Sequence, residues 1–382
     1  MHSALSEIYL EGGNYTWVIQ GDLSKSFDSI PHDIIMQRIH KTIKCQRTLE
    51  LIKKALSAGY VEPETGKTIK PNVGTPQGSV LSPLLCNIVL HEFDLFMNKQ
   101  KENYHNGTRR KPNLEFSRLM GRRRYTKDLA LKAELLHKMR KHHTYDPMDS
   151  NFKRLKYIRY ADDFVVLLIG PRSEALIIRD LIKQVLMSKC GLELNFDKIV
   201  ISHIEREGFK FLGADCGKAE MLKNPLVLVK GTGTKRATTR LRVFMDTQKV
   251  FKKLVDTKFA KWSNANPHIP IGTALNAWIN HEHAEILAYY NCKLRGLNNF
   301  YSFAGNRRKL LTVCWILTSS CALTLAKKYK LRTQGAVFKK YGRLLRCPDT
   351  GLKLDIPKSF EVNHDYNTKT RDLQNLDFLD ST

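Results

Sequence analysis

The sequence predicts an α+β fold, a sheet with helices on one face followed by a helical region, and three observations predict it. Two short apolar stretches, Leu155 to Ile158 and Phe164 to Ile169, flank Tyr160-Ala161-Asp162-Asp163 as the strands of a hairpin would. A separate apolar strand, Val18-Ile19-Gln20-Gly21-Asp22-Leu23, also ends in a carboxylate. From Ile286 to Gly342, aromatic and basic residues alternate at spacings that put rings inward and cations outward on helices.

Along the chain, a strand at Tyr15 to Gly21 precedes helices through Ile34 to Ile43 and Leu49 to Ser57. A hairpin across Tyr60 to Val73 and a helix from Pro83 to Met97 follow. After the Asp162 hairpin come a helix near Ser173 to Ser188 and two strands. That order packs helices against one face of a sheet. Acids so far apart in sequence meet only if the Asp22 strand lies beside the Asp162 hairpin.

A buried carboxylate without a partner costs several kcal/mol, so these aspartates are solvated, paired with a cation or bound to metal. A solvated surface Asp-Asp turn is the plain alternative. Phosphoryl transfer by two divalent cations about 4 Å apart needs hard oxygen ligands from more than one segment. Asp22, Asp162 and Asp163 would supply them.

These residues sit among others in a telling order. Gly21-Asp22-Leu23 through Phe27-Asp28 is followed by Gly74-Thr75-Pro76-Gln77-Gly78-Ser79, then Leu81-Ser82-Pro83-Leu84-Leu85 and Asn87. Beyond the aspartate pair come Gly191-Leu192-Glu193-Leu194-Asn195 with Lys198, and Phe209-Lys210-Phe211-Leu212-Gly213. In this order the segments resemble the palm motifs of group II intron reverse transcriptases, and Ile286 to Gly342 resembles the thumb and maturase region of their organellar members. The resemblance runs from about residue 15 to residue 345 and implies a right-hand polymerase palm, with a mixed or antiparallel sheet, followed by an all-α thumb/maturase domain.

The resemblance also implies roles. Asp22 and Asp162 would bridge two Mg2+ ions, with Asp163 placed second because neighbours on a strand point to opposite faces unless a turn redirects one. Leu23 would lend its backbone oxygen, and Phe27 would exclude a 2′-hydroxyl; a ring packed into the core is the alternative for Phe27. Gln77 and Gly78 would contact template or nucleotide, Lys198 a phosphate, and Phe211, Leu212 and Gly213 the primer end. Implied partners are group II intron RNA and host pre-mRNA, with a DNA primer or target and dNTPs if the polymerase is active. The mitochondrion is the implied location, with the chloroplast or bacterial cytoplasm as alternatives.

Charge agrees with a polyanionic partner. The chain of 382 residues carries a formal net charge of +26. Residues 99–156 hold 17 Lys and Arg against 6 Asp and Glu, and residues 235–345 hold 21 against 4. Both blocks lie outside the acid-bearing segments. RNA contacts are expected at Arg109, Arg110, Arg122, Arg123 and Arg124 in the first. In the second they are expected at Arg295, Arg307, Arg308, Lys327, Lys328, Lys339 and Lys340.

The organisation expected is therefore a first palm segment over residues 1–98, a basic insertion over 99–156, and a second palm segment over 157–230 with the Asp-Asp hairpin and primer grip. A helical thumb/maturase region over 231–345 and a short, partly disordered tail over 346–382 complete it. Within the insertion, Leu129 to Lys141 has helical spacing, while Asn103 to Gly121 reads as loop. A solvated charged loop is the alternative for the whole insertion.

Other classes fit less well. No stretch reaches the ~18 continuous apolar residues of a membrane span. Met1 to Gly13 does not read as a secretory signal. The 8 cysteines form no Cys-x-x-Cys pair, against a disulfide framework or zinc site. His281 with His283 and His142-His143 are poorly spaced as metal ligands. Only 21 residues precede Asp22, so the fingers expected upstream are missing, and the tail lacks the clustered His and Cys of the family's endonuclease module. Two functions stay open: an RNA-directed DNA polymerase that also assists its intron, and a splicing cofactor whose polymerase fold serves as an RNA-binding platform. A retrotransposon polymerase is a third, opposed by Ile286 to Gly342.

Overall fold

The computed structural model describes residues 1–23, 29–61, 66, 68–69, 73–74, 79–146, 149–192, 199–218, 226–229, 233–236 and 241–357. Two compact units emerge. One comprises Glu11–Phe211 with Glu220–Arg240, and the other His2–Leu10, Leu212–Ala219 and Leu241–Thr382.

A four-stranded antiparallel sheet organises the first unit: β1 (Trp17–Asp22), β4 (Arg154–Tyr160), β5 (Asp163–Ile169) and β6 (Ile199–His203), in the order β4-β5-β1-β6. The short strands β2 (Tyr60–Val61) and β3 (Thr68–Ile69) pair antiparallel within the span from Tyr60 to Val73 where a hairpin is expected, and β9 (Leu226–Val229) pairs antiparallel with β10 (Gly233–Arg236). Strand β5 pairs on both sides and is buried from Phe164 onward, so an almost unbroken apolar run is what its position requires. Phe164, Val166 and Leu168 point into a core built with Ile35 and Ile39 of α2 (His32–Thr42). Val89, Phe93 and Met97 of α4 (Ser82–Tyr104) and Ile178, Ile182 and Leu186 of α7 (Arg172–Cys190) complete it.

Helix α3 (Gln46–Ser57) adds Leu49 and Leu56 to this core. Burial of each such side chain contributes roughly 1.5–3 kcal/mol. Local signals set the helix ends. Pro83 lies in the first turn of α4. Gly191 closes α7 at φ 66°, its N–H bonding to the carbonyls of Leu186 and Met187.

The basic insertion is more ordered than its composition suggests. Leu129–Lys141 is helix α6, as expected, capped by Asp128. Leu114–Tyr125 is also a helix, α5, where a loop was expected. Its amides at Glu115 and Phe116 are capped by the Asn113 side chain, and its last turn carries Arg122, Arg123 and Arg124 at the favourable end of the dipole. The bridges Asn106↔Lys153 and Pro112↔Tyr145 close the base of this helical pair.

In the second unit, α1 (His2–Glu11) contributes Leu5 and Ile8 as buried residues. Strand β8 (Ala214–Lys218) pairs antiparallel with β11 (Leu241–Met245). Helices α8 (Thr247–Asp256), α9 (His283–Phe300), α10 (Leu310–Lys328) and α11 (Gln334–Tyr341) make most of the remainder. The region also holds a strand pair, β12 (Ala260–Trp262) with β13 (Pro270–Gly272), which an all-α reading of residues 231–345 did not include. Its physical basis is local: Asn266 accepts from the His268 amide and donates its own to Ser263, folding the link into a turn. Gly272 is needed there, because a Cβ would come within 2.7 Å of the Ile316 carbonyl and the Ser320 amide.

The segment Arg307–Lys328 is long and apolar enough by length and composition to cross a bilayer, yet 72% of its apolar window is buried inside the protein. It is the central core helix of this unit. On it, Ser320 and Thr324 meet the Tyr290 hydroxyl at 2.8 and 3.2 Å.

Candidate active site

Strand β1 runs antiparallel to β5 with Asp22 directly opposite Asp163. Residues opposite one another across two strands project to the same side of a sheet, so these two carboxylates share a face. Alternation along β5 sends Phe164 to the other side, into the helical core. The acid pair therefore stands on the face away from α4 and α7.

Gly21 is what allows the close fit beneath. A Cβ there would lie 2.2 Å from the Phe164 ring, which packs edge-on against Phe93 at 5.2 Å between centroids.

Asp162 belongs to the turn between β4 and β5, after Ala161 at φ 54°. A left-handed backbone at a residue with a Cβ is strained and needs support from its surroundings. Two hydrogen bonds supply it. The Leu23 amide donates to the Asp162 carbonyl at 3.0 Å, and Arg159 Nη1 donates to the Ala161 carbonyl at 2.8 Å.

The three acids feel one another. Burial first, then the charges of Asp162 and Asp22, push the Asp163 carboxyl up to about 6. Asp163 opens β5 and Asp162 lies in the turn before it, so strand alternation does not set the two apart, and the register puts Asp163 across from Asp22. Among the described residues, no three His, Cys, Asp or Glu side chains already converge as a metal-holding group.

Leu23 is buried, with its amide engaged as above. Phe211 is buried at the end of β7 (Phe209–Phe211), while Leu212 at φ 50° and Gly213 at φ 76° form a left-handed turn after it. Phe27, Gln77, Gly78 and Lys198 lie outside the described residues. The approach to the Gly74 segment is built nonetheless: His32 Nε2 bonds the Gly74 carbonyl at 2.6 Å and the Gly74 amide donates to Ile30.

Sequence reasoning overlooked a cluster beside the turn. Arg159 grips both oxygens of Asp94 at 2.8 and 2.6 Å, and Tyr157 donates its hydroxyl to Asp94 at 2.7 Å. Burial alone would lower the guanidinium's pKa, but the Asp94 contacts outweigh it and the net direction is upward. The available signal was an arginine and a tyrosine amid the apolar residues of β4.

The expected RNA-contacting cations fall into two groups. Arg122, Arg123, Arg124, Arg295, Arg308, Lys327, Lys339 and Lys340 are exposed. Lys327 also reaches Asn276, and Lys340 lies over the Tyr341 ring. Others are partly spent on the fold. Arg110 is half-buried over Phe152, and Arg307 donates to Asn298 at 2.7 Å. Arg109, though exposed, stacks over Tyr145 and bonds its hydroxyl, and half-buried Lys328 lies over Tyr329.

Two segments of the chain match known families. Residues 2–109 match the reverse transcriptase (RNA-dependent DNA polymerase) family, and residues 238–380 match the type II intron maturase family. The chain is similar to group II intron-encoded proteins in both matched segments. It is 32% identical over 344 residues to the putative COX1/OXI3 intron 1 protein of Saccharomyces cerevisiae, covering 89% of this chain and 41% of that one.

The group II intron-encoded protein LtrA of Lactococcus lactis is 30% identical over 86% of this chain and 56% of its own length. Nuclear intron maturase 1, mitochondrial, of Arabidopsis thaliana is 23% identical over 91% and 54%. The chain thus spans roughly half or less of the curated relatives it matches.

Proposed function

We propose that this chain supplies the palm and the thumb/maturase parts of an RNA-directed DNA polymerase that binds a group II intron RNA and assists its splicing. The observation that carries the reading is the in-register pairing of Asp22 with Asp163 beside the Asp162 turn. Hard carboxylate oxygens from two segments are the donor set that Mg2+ prefers, and three mutually repelling acids are relieved by a cation. Asp22, Asp162 and Asp163 would hold the ions. When bound, two Mg2+ ions would lower the pKa of a primer 3′-hydroxyl and neutralise departing pyrophosphate.

The chain's own residues do the rest. Gly21 leaves room for Phe164, which seats the acid pair from below. The Phe211 to Gly213 turn would hold the primer end, and the Gly74 to Ser79 segment the template and nucleotide. The exposed cations of α5 and of the Arg308 and Lys339 region would bind phosphates of intron RNA and host pre-mRNA. A mitochondrial location is supported by the name of the Arabidopsis relative.

A second reading, an RNA-binding splicing cofactor without polymerase activity, is favoured by the maturase match over residues 238–380 and by the basic load outside the sheet. Primer extension on an RNA template by the full chain separates the two. Extension that needs Mg2+ and disappears in Asp22→Asn supports the polymerase; an unmodified chain that binds intron RNA and extends nothing supports the cofactor.

A further inference from the structure

Asp162 sits between two peptide planes, and each plane is tied down by one hydrogen bond. The Asp162 carbonyl accepts from the Leu23 amide at 3.0 Å, which ties the plane after it to β1. The Ala161 carbonyl accepts from Arg159 Nη1 at 2.8 Å, which ties the plane before it to a side chain. Fixing both planes fixes the direction of the Asp162 Cα–Cβ bond.

Arg159 is in turn held by α4. Its Nε and Nη2 form a two-pronged grip on Asp94, and the same Nη1 that reaches Ala161 donates to Asn87 at 3.0 Å. Asn87 and Asp94 are seven residues apart, two helical turns, and so offer a two-point socket on one side of α4. The Tyr157 hydroxyl holds Asp94 from β4. The Arg159 side chain is only 12% exposed, which leaves its fork little freedom to leave the socket.

We infer that Arg159 is a positioning residue: by joining Asn87 and Asp94 of α4 to the Ala161 carbonyl, it sets the direction in which Asp162 presents its carboxylate to a divalent cation. This rests on the proposed polymerase reading. It adds that the helix entered from the Gly74 to Ser79 segment also aims a metal ligand. Lysine cannot replace the arginine, because one ammonium on a flexible stem does not reproduce a planar fork.

The test uses the full chain and Arg159→Lys. Mn2+ binding is followed by paramagnetic resonance, the Mg2+ midpoint by primer extension, and folding by thermal melting. Loss of an outer partner of a metal ligand weakens metal affinity by about 10-fold or more. The expected result is weaker Mn2+ binding by about that factor, a higher Mg2+ midpoint and lower kcat, with nucleotide KM and melting little changed.

Unchanged Mn2+ affinity and an unchanged Mg2+ midpoint would overturn the inference. Should Arg159→Lys fail to fold, Asn87→Ala removes one prong of the socket and keeps the Asp94 grip. A raised Mg2+ midpoint or weaker Mn2+ binding then supports the role, and values equal to the unmodified chain contradict it. If the unmodified chain binds Mn2+ without extending a primer, the binding arm alone decides. If it does neither, the polymerase reading fails and this inference with it.

Discussion

Asp22 and Asp163 stand opposite each other across the β1–β5 pair, in a register that continues through Gly21 with Phe164 to Trp17 with Leu168. A slip of one residue would turn Asp22 toward the helical core, so the same apolar pattern that builds the core also fixes the acid pair.

Gly21 is the point where this register is most exposed to mutation. In Gly21→Ala the new methyl meets Phe164 carbons at 2.2 and 2.4 Å, and the ring is confined by Phe93. Overpacking of this kind costs about 1–3 kcal/mol. Denaturant unfolding should show that loss, together with reduced primer extension; a variant as stable as the parent would show that the ring can move aside.

The hairpin with an acidic tip was legible in the sequence because polar Tyr160 to Asp163 interrupts two apolar runs. The ends of α6 were legible as well, since Asp128 caps it and Leu135 and Met139 mark its buried side. Helix α5 was not. It buries none of its residues, so no apolar stripe announces it, and its local signs are confined to its ends, the Asn113 cap and the basic last turn. Nor could local pattern give the pairing of Asp22 with Asp163, or the Arg159 fork on Asp94. Both depend on which distant elements pack together, and no periodicity within either segment records that.

Acidity should bear on stability through Asp163. Its native pKa is raised from 3.8 to about 6, so between these values the folded chain keeps a proton that the unfolded chain has lost. Stability from this group is therefore full below the lower value and is lost as pH rises through the upper one. In metal-free buffer, melting temperature should fall over that window relative to Asp163→Asn, and added Mg2+ at neutral pH should recover the difference. A pH profile identical in the two proteins would contradict this.

In the second unit, the Tyr290 hydroxyl is buried between Ser320 and Thr324. Ser320 also donates to the Thr273 carbonyl and Thr324 accepts from the Leu275 amide, so the bonds run from α10 to the segment after β13. Tyr290→Phe should cost about 1–2 kcal/mol, measured by chemical unfolding. An effect near zero would mean that the hydroxyls of α10 are satisfied without it.

RNA affinity should separate the two groups of cations. Replacing exposed Arg122, Arg123 and Arg124 by alanine should leave melting unchanged and lower the salt slope of intron-RNA binding by about 1 per lost phosphate contact. Arg110→Ala should instead lower melting temperature, because that side chain packs on Phe152. An unaltered slope in the triple variant would remove α5 from the RNA-binding surface.

The most direct test of the central claim is one side-by-side measurement: cDNA synthesis and splicing of the cognate intron by the full chain and by its Asp162→Ala/Asp163→Ala variant at saturating Mg2+. Synthesis should be abolished in the variant while splicing and RNA affinity persist. Synthesis that survives loss of both carboxylates would contradict it.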